Sequence, residues 1–172
     1  MTIHHGWKHC PRCAGVLAPG DHHALSCASC GSSYYANSAP AVGVVLRRDD
    51  EAILLARRAV EPAKGLWDVP GGFLEEGEHP EAAVRRELRE ETGLEVEPTS
   101  FLGAYLDTYG SGPASTWVLN LVYSADSVGG DPTPADDVSE LRWFGRDELP
   151  HGELAFDWLT RLFADLGPTA DR

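Results

Sequence analysis

GFLEEGEHPEAAVRRELREETGL, residues 72–94, is the stretch from which the rest of the chain can be read. Pro80 suits the first turn of a helix, where its missing N–H would have no partner anyway. Gly93 suits the left-handed residue that stops one, so the spacing predicts a helix over residues 80–92. His79 stands at the N-cap, where Ser or Thr would be the better acceptor. On this helix Glu87, Glu90 and Glu91 are spaced i, i+3, i+4 and approach one another. At about 100° per residue, Glu91 falls between Val84 and Leu88, near the centre of the apolar stripe, and Glu87 flanks it. A carboxylate aimed at a core edge is costly unless paired. Three that converge repel one another unless a cation sits among them. Oxygen ligands of this kind suit Mg²⁺ or Mn²⁺, which keep waters and leave room for substrate phosphates. A solvated acidic helix laced by Arg85, Arg86 and Arg89 would account for Glu90 but poorly for Glu91.

Working outward, valine- and leucine-rich runs at residues 41–48 and 52–58 predict two strands, with Asp49, Asp50 and Glu51 as the turn between them. A short strand over residues 65–72 ends in Gly71-Gly72. Further strands are expected at residues 101–108, 117–125 and 141–144. A last helix over residues 154–166 carries the stripe Leu159, Leu162, Phe163, Leu166. Strands mixed with two helices predict the α/β class, as an α/β/α sandwich around a mixed sheet.

All four cysteines lie near the N-terminus, as Cys10-Pro-Arg-Cys13 and Cys27-Ala-Ser-Cys30. Two CxxC pairs thirteen residues apart match a four-thiolate zinc site. Four thiolates close the coordination sphere, so Cys10, Cys13, Cys27 and Cys30 are expected to hold a structural Zn²⁺. Two disulfides or four free thiols are the alternatives, and disulfides would need an oxidising compartment. His9, His22 and His23 are nearby nitrogen ligands by type, better explained as solvated loop residues. The division expected is a zinc ribbon over residues 1–38, too small to fold on its core alone, and a larger domain over residues 39–172. Asn37-Ser38-Ala39-Pro40 is the joint between them.

The chain has 172 residues, 42% hydrophobic, with 27 acids against 14 Lys and Arg and a formal net charge of −13. That balance argues against a broad basic surface gripping nucleic acid. An acidic enzyme can still handle phosphates when divalent ions reverse the field at its site. No apolar run reaches the length of a membrane span, and residues 1–9 hold no apolar signal core. A cytoplasmic location is the expectation, with no membrane partner.

Every fixed position of a Nudix box is present in residues 72–94: Gly72, five residues, Glu78, seven residues, then Arg86-Glu87-Leu88-x-Glu90-Glu91-x-Gly93-Leu94. The approach Gly65-Leu-Trp-Asp-Val-Pro-Gly71 is similar to that of many members. The chain therefore resembles the Nudix hydrolase family from about Ala39 to Leu166, and residues 39–172 are expected to form its hydrolase domain. The resemblance implies that Glu87, Glu90 and Glu91 bind catalytic Mg²⁺, or Mn²⁺, with a backbone carbonyl at Gly71 or Gly72. It implies that Arg86 and Glu78 pair and hold the loop against the helix. The metal would polarise a diphosphate and activate water for in-line attack. The general base is left open between a box glutamate and a later acid; of Asp136, Asp137 and Glu140, Asp137 is preferred.

A zinc ribbon ahead of this box is similar to the NADH pyrophosphatase branch and to relatives acting on ADP-ribose or FAD. The Ser-Gln-Pro-Trp-Pro-Phe-Pro array of the NADH branch is missing after Leu94. The resemblance thus implies a nucleotide-linked small molecule as substrate, with ADP-ribose, cleaved to AMP and ribose 5-phosphate, ahead of NADH or FAD. Sanitation of oxidised nucleoside triphosphates is one rival, and a non-catalytic nucleic-acid-binding module another. Capped RNA would join the two ideas. Many relatives are dimers, so the resemblance allows a homodimer. Base recognition would use an aromatic platform drawn from Phe73, Tyr105, Tyr109 and Trp117. Arg57 or Arg58 would reach a phosphate, and strand alternation allows at most one of them to do so.

Overall fold

The helix over the quoted stretch starts and stops at its own punctuation. In a computed structural model, which describes residues 6–112 and 115–167 with the exception of the His23 side chain, α1 runs Pro80–Thr92. His79 makes the cap after all: its Nδ1 accepts from the Glu81 N–H at 3.3 Å. Gly93 takes the left-handed conformation at φ 70°, and its N–H donates to the Arg89 carbonyl at 3.0 Å.

The chain divides into two compact units, Met1–Ser38 and Ala39–Arg172. Residues 1–5, the start of the polar N-terminal stretch, lie outside the described residues. The first unit is an antiparallel sheet of three short strands, β1 (Leu17–Pro19), β2 (Leu25–Cys27) and β3 (Ser33–Tyr34), in that order. Among the described residues its buried cluster is Cys10, Leu17 and Cys27, with Leu25 and Tyr34 packed against them and Ala24 also buried.

In the second unit β4 (Ala39–Leu46) lies parallel to β8 (Thr116–Gly129), which pairs antiparallel with β7 (Glu95–Tyr109). β5 (Ile53–Arg58) pairs antiparallel with both β6 (Trp67–Asp68) and β9 (Val138–Phe144). Two three-stranded sheets thus replace the single mixed sheet expected, and one of them is mixed. Beside the turn after β4, an isolated bridge runs from Arg47 to Ile53, the start of β5. Strand alternation builds the layers. Val42, Val44, Leu46 and Leu54 pack with Val84 and Leu88 of α1. Val45, Ile53 and Leu55 pack with Trp158, Leu159, Leu162 and Phe163 of α2 (Asp157–Asp165). The result is the α/β/α sandwich, with each fully buried Leu or Val worth about 1.5–3 kcal/mol.

Several boundaries differ from expectation: β4 is shifted to Ala39–Leu46, β8 runs on to Gly129 and β9 starts at Val138, and three further differences have a visible cause. β7 starts at Glu95, well before residue 101, because Gly93 turns the chain straight from α1 into the ladder; Pro98 is accommodated where the register shifts. The last helix starts at Asp157 because residues 153–155 are held extended: Trp67 N–H donates to the Glu153 carbonyl, and Ala155 N–H to the Trp67 carbonyl, both at 2.8 Å. Asp107 of β7 then accepts from the Trp158 N–H at 3.1 Å, a cap supplied from another strand. Of the strand expected over residues 65–72, only Trp67 and Asp68 pair with β5; the rest runs beside β4, with Val44 and Val42 N–H donating to the Pro70 and Gly72 carbonyls. Among the described residues no helix is long and apolar enough to cross a membrane.

Candidate active site

A cavity of about 210 Å³ opens where β4, the Pro70–Phe73 segment and α1 meet. Gly71, Gly72, Phe73, Glu87 and Glu91 all line it. Gly71 sits at φ 145°, and a Cβ there would meet the Val42 carbonyl oxygen at 2.2 Å. A Cβ on Gly72 would meet Glu87 Oε1 at 2.6 Å. Glycine is therefore required at position 71 by backbone conformation and packing, whereas a side chain at position 72 would displace the Glu87 carboxylate from its present place.

Glu87 and Glu91 are buried. Glu91 Oε2 accepts from the Gly71 N–H at 2.8 Å, which ties the helix to the Gly-Gly turn. Burial pushes the Glu91 carboxyl up to about 9, with the charges of Asp137, Glu87 and Asp68 adding to the effect and the Gly71 hydrogen bond opposing it. Burial also raises Glu87, against the pull of Arg86. Glu90 is exposed and does not line the cavity, but its carboxylate lies 3.1 Å from the same Arg86 Nη1 that reaches Glu87. An acidic cluster this poorly neutralised is what a divalent cation would relieve.

Arg86 is the fastener. Its Nε and Nη2 donate to the two oxygens of Glu78 at 2.9 and 2.7 Å, a bidentate pair. Nη1 reaches Glu87 Oε1 at 2.8 Å, and Nη2 also reaches the Phe73 carbonyl at 3.1 Å. The Glu78 carboxyl is held down at about 2 by the Arg86 guanidinium and the Glu75 N–H. Arg86→Ala is expected to destabilise the protein by about 3 kcal/mol, because it strands two nearly buried carboxylates. Arg86→Lys should recover only part of this, since a point charge cannot serve the fork. Urea unfolding of the three proteins checks it; a loss within about 0.5 kcal/mol would mean a solvated pair.

The other candidates separate. Asp137 and Asp136 line the cavity, whereas Glu140 lies 3.4 Å from Arg57 outside it. Arg57 is engaged there, donating from Nε to the Gly65 carbonyl at 2.8 Å, so it does not line the cavity. Arg58 does. Phe73 and Tyr109 line the cavity as an edge-to-face pair with centroids 5.3 Å apart. Tyr105 belongs to the core, its hydroxyl donating to Asp165 at 2.9 Å. Trp117 is 55% exposed and outside the cavity; its neighbour Val118 faces inward, so alternation turns Trp117 to the other side of the sheet. Sequence reasoning missed Asp68, Asn120, Phe156 and Trp158, all of which line the cavity. Asp68 lay in the segment approaching the Gly-Gly turn and was the one with a visible signal.

In the first unit the Sγ atoms of Cys10, Cys13, Cys27 and Cys30 lie within 4.8 Å of one another. The Cys10–Cys30 and Cys13–Cys27 separations are 3.7 and 3.5 Å, and all four thiols are free. Tetrahedral zinc with Zn–S bonds near 2.3 Å would set its sulfurs about 3.8 Å apart. A disulfide would need about 2.05 Å. The donor set and spacing fit zinc. The Tyr34 hydroxyl lies 3.2 Å from Cys10 Sγ, and this contact holds the Cys10 thiol down at about 6. His9 is engaged by the Ala14 carbonyl at 3.3 Å, His22 is not among the clustered ligands, and the His23 side chain lies outside the described residues.

The NUDIX domain family model matches residues 37–164. The chain belongs to the Nudix family. This Nudix hydrolase is 40% identical over 126 residues to an ADP-ribose pyrophosphatase of Methanocaldococcus jannaschii, covering 72% of this chain and 70% of the relative. It is 33% identical over 162 residues to the NAD-capped RNA hydrolase NudC of Deinococcus radiodurans, covering 91% of this chain and 55% of that protein. The chain thus spans about half the length of its NudC relatives. Among solved structures, a NUDIX hydrolase from Nitrosomonas europaea superposes with a TM-score of 0.74 at 27% identity, covering 93% of this chain and 88% of that one. The NUDIX domain of Shewanella oneidensis NrtR, solved with ADP ribose, superposes with a TM-score of 0.61 at 27% identity, covering 76% and 86%.

Proposed function

We propose that residues 39–172 form a Mg²⁺-dependent pyrophosphohydrolase that cleaves a nucleoside diphosphate linked to a second group, ADP-ribose first, giving AMP and ribose 5-phosphate. The observation that carries the chemistry is the pair of buried carboxylates, Glu87 and Glu91, set against two glycines that leave room beside them. Glu87, Glu90 and Glu91 would hold the ion, with a backbone carbonyl at Gly71 or Gly72; the Gly72 carbonyl already accepts from Val42, which favours Gly71. Bound there, Mg²⁺ (or Mn²⁺) supplies polarisation of a phosphate oxygen and a more acidic water. Arg86 keeps Glu87 aimed and Glu78 holds Arg86. Asp137, on the cavity wall, is the acid that takes the proton of the attacking water. Arg58 faces a phosphate, and Phe73 and Tyr109 offer ring faces to a base. Residues 1–38 form a ribbon in which Cys10, Cys13, Cys27 and Cys30 hold one structural Zn²⁺. A cytoplasmic protein is the location this reading carries.

ADP-ribose is favoured by the Methanocaldococcus jannaschii relative and by the NrtR domain that binds it. The NudC likeness, which reaches into the ribbon, supports a second reading: the diphosphate of NAD, free or at an RNA 5′ end. A net charge of −13 weighs against a long RNA footprint.

ADP-ribose is expected to be hydrolysed faster than FAD, NADH, NAD-capped RNA and any nucleoside triphosphate at equal concentration with Mg²⁺. Products identified by mass check this. Faster cleavage of an oxidised triphosphate with release of pyrophosphate would replace it with sanitation. No hydrolysis of any substrate would leave the binding-module reading.

A further inference from the structure

Asp68, at the end of β6, is a buried acid for which the chemistry above has no use. Its Oδ1 is inaccessible and makes no hydrogen bond of ordinary geometry, the one such side-chain atom among the described residues. Burial pushes the carboxyl up to about 7, against the pull of Arg58 and the Val69 N–H. Its Oδ2 lies 3.5 Å from Nη1 of Arg58, and the two side chains are 13% and 12% exposed. A buried pair this loosely made is poor at stabilising a fold, because its attraction hardly offsets the loss of hydration. An orphaned oxygen in a native interior asks for another explanation.

Arg58 supplies it. Its Nε donates to the Pro62 carbonyl at 2.8 Å and its Nη2 to the Tyr109 hydroxyl at 3.2 Å. The guanidinium lies 5.8 and 5.4 Å from the ring centres of Tyr109 and Phe156. Arg58 is also the only cation among the residues lining the cavity, which carry Asp68, Glu87, Glu91, Asp136 and Asp137. A guanidinium beside that many carboxylates would be drawn onto them, where it would compete with a metal and leave the aromatic wall. We infer that Asp68 is a positioning residue: its carboxylate holds Arg58 against Tyr109 and Phe156, so that the guanidinium and the rings meet the substrate as one preformed surface. This rests on the cavity being the substrate site. Fixing a long side chain before binding lowers the entropy lost on binding, so the benefit belongs to affinity more than to the bond-breaking step.

The test uses the full-length protein with Asp68→Asn, Arg58→Lys, Arg58→Ala and the Asp68→Asn/Arg58→Ala double variant. Hydrolysis of ADP-ribose with Mg²⁺ is expected to show KM raised about tenfold or more in Asp68→Asn, with kcat within about threefold. The double variant should be no worse than Arg58→Ala alone, since the two changes remove one interaction. Independently of any substrate, ¹⁵N NMR of arginine side chains should show a slowly rotating Arg58 guanidinium, assigned by its loss in Arg58→Lys. That signal should average out in Asp68→Asn. An Arg58 signal unchanged by Asp68→Asn overturns the proposal, as does a lowered melting temperature with KM unchanged, which marks a purely structural acid. Failure of the wild type to hydrolyse ADP-ribose would sink the substrate reading alone, and the NMR result would then decide the role of Asp68.

Discussion

Glu91→Gln is expected to lower turnover roughly 10²-fold or more while leaving the fold intact, the scale of losing one interaction that strengthens in the transition state. The amide is close to isosteric, and its oxygen can still accept from the Gly71 N–H that Glu91 Oε2 engages at 2.8 Å. What disappears is a negative oxygen ligand. Metal-free stability should rise, because the carboxyl removed is one that burial pushes from 4.5 up to about 9. The folded protein holds this proton more tightly than the unfolded chain. The contribution of Glu91 is therefore fully present below pH 4.5 and is lost as the pH rises through about 9. Metal-free melting curves of the two proteins should converge in acid and separate toward alkaline pH, with the variant the more stable. Added Mg²⁺ should raise the melting temperature of the wild type and do little for the variant. A variant that keeps its turnover and melts lower would mean that Glu91 is only a structural acid.

Loss of zinc is expected to unfold the first unit. Its core of Cys10, Leu17 and Cys27 is too small to order 38 residues. A four-thiolate zinc contributes binding free energy on the order of 10–16 kcal/mol, most of which is folding free energy. Purified protein should carry one zinc per chain, and titrating the four thiols with a mercurial should release it in step with proteolytic sensitivity of residues 6–38. Cys13→Ser should loosen the same segment while turnover persists. Metal analysis without zinc, or two disulfides by mass, would overturn the assignment. The sulfur separations of 3.5 and 3.7 Å already stand far from disulfide length.

The parts of this protein legible in the sequence are those written in near-neighbour chemistry. Pro80 and Gly93 bound α1 to the residue, and the i, i+3, i+4 acids and the apolar stripe share that helix, so the burial of Glu91 beside Val84 and Leu88 follows from periodicity. Two CxxC pairs aim four sulfurs at one point by their own turns. Strand alternation could say that Arg57 and Arg58 point apart, but not which of them meets the cavity. That was decided by β9, whose Glu140 engages Arg57 from 83 residues away, and by Asp68, Tyr109 and Phe156, which surround Arg58. The same alternation put Trp117 on the wrong side once Val118 took the inner face. Asn120 and Phe156 had no local signal, since an amide in a strand and a phenylalanine before a helix become site residues only when distant elements close around them. The choice of two sheets over one, and the start of α2 at Asp157, were likewise settled by pairings between segments far apart in the chain. Backbone partners of that kind are selected by packing of the whole unit, and no window of sequence contains both sides of the bond.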